Sequence, residues 1–159
     1  LSHFVPPTVL QPRSVRRVTA PEQDFRDDDA AAVAKELMEL GVLVNTGAHG
    51  QREGLATHWE MWSFAEGGMS PMQMLATATI NPARYLGMDA DLGSIETGKL
   101  ADLQVVDGNP LEDVKSTDRI THVMVNGRLY RANDLGEEVT GSRPAPTLWW
   151  HNQPQHQIR

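Results

Sequence analysis

Cysteine is absent from the 159-residue chain, which excludes a disulfide framework and any thiolate metal site and fits a reducing compartment. Apolar runs are short. None approaches the roughly 18 residues of a membrane span. The opening LSHFVPPTVL lacks a basic region ahead of a long apolar core, so no signal peptide is expected in this chain and a cytoplasmic location is the default expectation. Positive charge is scarce. Fourteen Lys and Arg stand against 21 Asp and Glu, and the net charge of −7 argues against a nucleic-acid or anionic-membrane surface. Arg13, Arg16 and Arg17 do cluster, but an acidic run follows them, as in a solvated segment. No Gly-rich phosphate loop and no Gly-x-Ser-x-Gly elbow occur, so phosphate-loop and serine-hydrolase readings have no support. The first residue is Leu rather than Met, which leads us to expect a processed product or a piece of a longer reading frame.

Apolar residues make up 40% and charged residues 22% of the chain, the composition of a packed domain rather than a disordered segment. Pro6, Pro7 and Pro12 keep the first 21 residues irregular or on an edge. Residues 22–40 are predicted to be a helix. Ala30, Val33, Leu37 and Leu40 would form its apolar face, Asp27 to Asp29 would suit its N-terminal half, and Gly41 would stop it. Val42 to Val44 then read as a strand. Residues 53–66 are predicted to be a second helix with a Leu55, Trp59 and Trp62 stripe. Ser70-Pro71-Met72-Gln73 opens a third through an N-cap, a proline at the first turn and a capping box. Asn81-Pro82 repeats a cap-and-proline start for a short helix ending near Gly87. Beyond Gly87 the period changes. Leu100 to Gly108 and Ile120 to Tyr130 are strand-like, and Asn126-Gly127 between apolar runs is a hairpin signal. From Gly136 onward the chain turns polar, interrupted by Trp149-Trp150, a pair of the kind that docks on a surface.

Chemistry concentrates in Val42 to Gln51, VLVNTGAHGQ. In parallel α/β folds the active residues sit at the C-terminal ends of strands. His49 lies five residues past Val44 on a glycine-rich corner, where Gly47 and Gly50 would allow a tight turn beside the ring. An imidazole there could bind a divalent metal or act as a general base, and Gln51 could donate to substrate. On local pattern alone, a lone histidine at such a corner more often caps the turn. His58-Trp59-Glu60 is no metal signature, because adjacent helical residues point apart; packing is the better reading of His58. His122 beside the Asn-Gly turn is expected at the surface. Asp102 and Asp107 are expected to cap turns or pair with Lys99 rather than act as an acid/base pair.

Met69 to Val114, MSPMQMLATATINPARYLGMDADLGSIETGKLADLQVVDGNPLEDV, resembles the C-terminal region of the amidohydrolase superfamily. The matching elements are Ala78-Thr79-Ile80-Asn81-Pro82-Ala83, Gly93-Ser94-Ile95, Gly98-Lys99-Leu100-Ala101-Asp102-Leu103 and Val125-Asn126-Gly127, with ITHVMVNGRLY continuing in order. The resemblance covers most of residues 30–131. GAHGQREGLATHWEMW further resembles a subgroup whose members can be fused to a TolB-like β-propeller. The family implies a (β/α)8 barrel carrying a small β-sandwich. It also implies a mono- or binuclear metal centre, zinc foremost, that activates water against C–N and related bonds. Val42 to Asn45 would then be the last barrel strand, with His49 as the catalytic and metal-binding candidate and Gln51 beside it.

Two departures matter. The family's aspartate on that strand has no exact counterpart, and His49 stands closest. The family's other ligands, a His-x-His pair, a lysine or carboxylate and two further histidines on earlier strands, find no match here. A whole barrel needs about 200 residues or more. The expectation is therefore an α/β C-terminal fragment of a (β/α)8 barrel over residues 1–87, part of a β-sandwich over 88–131 and a polar tail over 132–159. Such a chain would be the C-terminal portion of a metal-dependent amidohydrolase acting on a small amide-type substrate, inactive alone, with no nucleic-acid or membrane partner. A cut barrel exposes edges and an apolar face, so a homo-oligomer or a complementing N-terminal portion is expected. The alternative is a non-catalytic interaction module that has kept the scaffold.

Overall fold

A computed structural model describes residues 24–49 and 54–149, together with residues 5, 6, 8, 21 and 151. The first helix, α1, is Asp27–Glu39. Asp27, Asp28 and Asp29 occupy its first turn, where the helix dipole favours negative charge. It ends in a Schellman motif: the Gly41 amide donates to Met38 O and the Val42 amide to Leu37 O, each at 3.0 Å, with Gly41 at φ +87°.

The buried face of α1 differs from the one predicted. Ala31 is buried, and Ala34 and Met38 pack with Val44 against Phe64 and Met69. The expected Val33, Leu37 and Leu40 stripe instead faces solvent, 53%, 42% and 81% exposed. The helix carries two apolar edges, and the described residues supply a partner for one of them. That partner comes very close: a Cβ on Gly67 would lie 2.4 Å from the Ala31 Cβ.

Helix α2, Ala56–Glu66, buries His58, Met61 and Phe64. The predicted stripe is thus displaced, with Trp59 45% exposed. Trp62 is half-buried and its indole donates to Thr117 Oγ1 at 2.9 Å, which ties the helices to the strand region. Helix α3, Pro71–Thr77, starts as predicted: Ser70 Oγ accepts from the Gln73 amide and Gln73 Oε1 accepts from the Ser70 amide, a complete capping box. Helix α4, Ile80–Tyr85, starts two residues earlier than expected. Thr79 is its N-cap, and Asn81 lies inside the first turn, buried.

Val42 to Val44 form no strand. Residues 42–48 carry no sheet ladder. A strand exists only with a neighbour to pair with, and no described segment offers one beside this run.

The sheet has three antiparallel strands in the order β1 (Leu103–Val106), β2 (Ile120–Val125) and β3 (Arg128–Arg131). Leu103 faces Met124, and a bulge falls between Val105 and Val106. β2 and β3 join through Asn126 (φ +47°) and Gly127 (φ +75°), the two left-handed residues that a tight hairpin needs. The Asp102 carboxylate accepts from the Asn126 amide at 2.6 Å, so Asp102 does cap a turn. Lys99 pairs instead with Glu96 (3.2 Å), Ser94 Oγ and the Asp89 carbonyl. The outer edge of β3 is covered by the start of the polar tail, where Tyr130 bridges Glu137. The buried Glu137 carboxylate accepts from the amides of Val139, Thr140 and Ser142. The described residues thus hold one sheet, where a sandwich has two. A 3-10 helix, Val114–Asp118, with Ser116 and Thr117 buried, seats this sheet against α2.

Candidate active-site rim

Residues 44–49 run from the small helical core to a left-handed corner, and helices hold them in place of a sheet. Asn81 Nδ2 donates to the Val44 carbonyl at 3.0 Å. The Thr46 amide donates to Thr77 O at 2.9 Å, and the Thr46 and Thr77 hydroxyls meet at 2.8 Å. Glu60 Oε2 accepts from the Gly47 amide at 2.7 Å. Asn81, Thr77 and Glu60 come from α4, α3 and α2, so one residue from each of these helices grips the segment.

His49 is exposed and sits at φ +54°. The left-handed residue of this corner is thus the histidine itself. Left-handed backbone is uncommon outside glycine but several-fold enriched in histidine, asparagine and aspartate. Gly47 leaves room beside the segment, since a Cβ there would meet nothing within 4 Å. Gln51 and Gly50 lie outside the described residues.

His58 is buried, with its ring centroid 6.4 Å from that of Trp62. Burial pushes its pKa down, and Asp118 opposes this with its charge. That is packing, as its sequence context suggests. His122 is half-buried on β2 beside Thr121 Oγ1 (3.1 Å), deeper than the surface position expected. Among the described residues, no three His, Cys, Asp or Glu side chains group to hold a metal ion. A catalytic zinc takes about three protein donors. His49 could furnish one, but the described residues do not fit a complete centre.

Sequence reasoning missed Glu60, Thr77 and Asn81. Asn81 carried a signal, a polar side chain inside a largely apolar run, but it read as a cap. Glu60 and Thr77 carried none, because their partners lie 13 and 31 residues away.

Comparison with known proteins supplies the class. Residues 8–130 match the amidohydrolase family. Over 103 residues the chain is 29% identical to ochratoxinase of Aspergillus niger, covering 62% of this chain and 22% of that enzyme. Over 151 residues it is 26% identical to the 5-methylthioadenosine/S-adenosylhomocysteine deaminase of Moorella thermoacetica, covering 78% of this chain and 34% of that enzyme. A solved Xaa-Pro dipeptidase with methionine in its active site superposes with a TM-score of 0.59 at 28% identity, over 79% of this chain and 32% of that one. The chain belongs to the amidohydrolase family, whose (β/α)8 barrel its solved neighbours imply in part, here as a mixed helix and strand structure with a separate small antiparallel sheet. It spans between a fifth and a third of the length of these relatives.

Proposed function

We propose that this chain is the C-terminal portion of a metal-dependent hydrolase acting on C–N bonds of a small amide-type substrate. Residues 44–49 form the rim of its active site. The observation that carries the reading is the rim itself: a glycine-flanked histidine at the end of a segment gripped by three successive helices, inside a family match over residues 8–130. His49 stands where the family's aspartate is expected, as a ligand to a divalent ion of the zinc type or as a proton carrier, with Gln51 beside it. The remaining ligands must come from residues other than those described here, so this chain alone is inactive. The exposed Val33, Leu37 and Leu40 edge supports a second copy or a complementing N-terminal portion packed against α1.

In a complete barrel, His49→Ala is expected to lower turnover or bound metal by more than about tenfold without unfolding the protein. An unchanged rate and metal content would return His49 to a turn-capping role. A second reading, a non-catalytic interaction module on the same scaffold, is favoured by the missing aspartate. A His-x-His strand encoded upstream decides for the enzyme, and its absence decides for the module.

A further inference from the structure

The rim segment is held unevenly. Just ahead of it, Val42 N donates to Leu37 O at the end of α1. Within it, Val44, Thr46 and Gly47 are all gripped from the helix layer. The grip on Gly47 differs from the others in kind. It is an ionised side chain on a backbone amide, and a charge-assisted bond of this sort is roughly twice as strong as a neutral one. It also falls two residues before His49, whose backbone is in the left-handed region at φ +54°. Such a backbone is strained outside glycine and persists only where its surroundings over-determine it.

From these observations we infer that Glu60 is the positioning residue of the rim. Its carboxylate fixes the Gly47 amide, and through that amide the corner that presents the His49 imidazole. Asn81 and Thr77 set the height of the segment, and Glu60 sets the direction in which it leaves. The side chain has other options, since it is only half-buried in the middle of α2 and open to water. That it turns back onto Gly47 is what separates it from a solvated helix carboxylate. The inference rests on the reading of residues 44–49 as the active-site rim and names the residue that holds that rim.

The test uses the chain with assigned amide and histidine-ring resonances. Glu60→Ala is expected to speed hydrogen exchange at the Gly47 amide by about tenfold and to shift the His49 ring signals. The His58 and His122 rings should stay in place, and Glu60→Gln, which keeps a neutral acceptor oxygen, should restore both readouts in part. Lys115→Ala removes the exposed ion pair between Lys115 and Glu66 and should change neither. The inference is overturned if Glu60→Ala leaves Gly47 exchange or the His49 signals at their wild-type values. It is also overturned if all histidine rings move together and Glu60→Gln does not rescue them. Failure of the proposed function would show elsewhere, as unchanged turnover of His49→Ala in the complete barrel, with the Gly47 exchange effect intact.

Discussion

The hydroxyl pair between Thr46 and Thr77 gives the sharpest energetic prediction. Thr77 is 0% exposed, and its Oγ1 both donates to the Met74 carbonyl at 2.6 Å and meets Thr46 Oγ1 at 2.8 Å. Thr77→Val keeps most of the shape and removes the oxygen. A neutral hydrogen bond nets about 0.5–1.5 kcal/mol, and leaving a buried partner unpaired costs about 1–3 kcal/mol. Thr77→Val should therefore lose about 1–3 kcal/mol. Thr46→Val, at a half-buried position, should lose about 1 kcal/mol. The double variant should cost less than the sum by about 0.5–1.5 kcal/mol, because the second substitution removes an oxygen already without its partner. Urea unfolding followed by circular dichroism, with matched denaturant slopes, measures all three. Losses that add to within about 0.3 kcal/mol would refute the pair and, with it, this part of the helix-held rim.

Two further outcomes follow from packing and charge. Gly67→Ala places a Cβ 2.4 Å from the Ala31 Cβ, a contact with no flexible atom to yield, so thermal unfolding should show a loss of about 1–3 kcal/mol. The Glu137 carboxyl is held down to about 2, first by the Thr140 hydroxyl and then by backbone amides, against an ordinary 4.5. A depressed folded value contributes stability that is fully present above the unfolded pKa and is lost as pH falls through the folded one. Stability should therefore drop between about pH 4.5 and pH 2. Glu137→Gln should flatten that part of the acid unfolding curve, and a curve of unchanged slope would contradict the assignment.

Local chemistry was legible in the sequence, and distant partnerships were not. Ser70 and Gln73 satisfy each other three residues apart, so the start of α3 could be read directly. Asn126-Gly127 fixes a hairpin by its own backbone preferences. Periodicity placed α1 but chose the wrong edge: Ala31, Ala34 and Met38 recur at the same helical spacing as Val33, Leu37 and Leu40, and only the packing partner distinguishes them. Val42 to Val44 have strand chemistry, yet a ladder depends on a neighbour that sequence pattern cannot supply. The polar tail hid an ordered corner, since the hydroxyls and amides that bind Glu137 look like any solvated loop. At the rim, His49 stood out as a histidine among glycines. Glu60, Thr77 and Asn81 became visible only when folding brought three helices back to one short segment.

The central claim is that this chain is one part of an amidohydrolase and does not complete the active site alone. Turnover by the purified 159-residue chain, supplied with zinc and a panel of amide and cyclic-imide substrates, tests it most directly. The account predicts no turnover above the uncatalysed rate from this chain, and turnover once the complete barrel is present. Robust hydrolysis by the isolated chain, lost in His49→Ala, would contradict it.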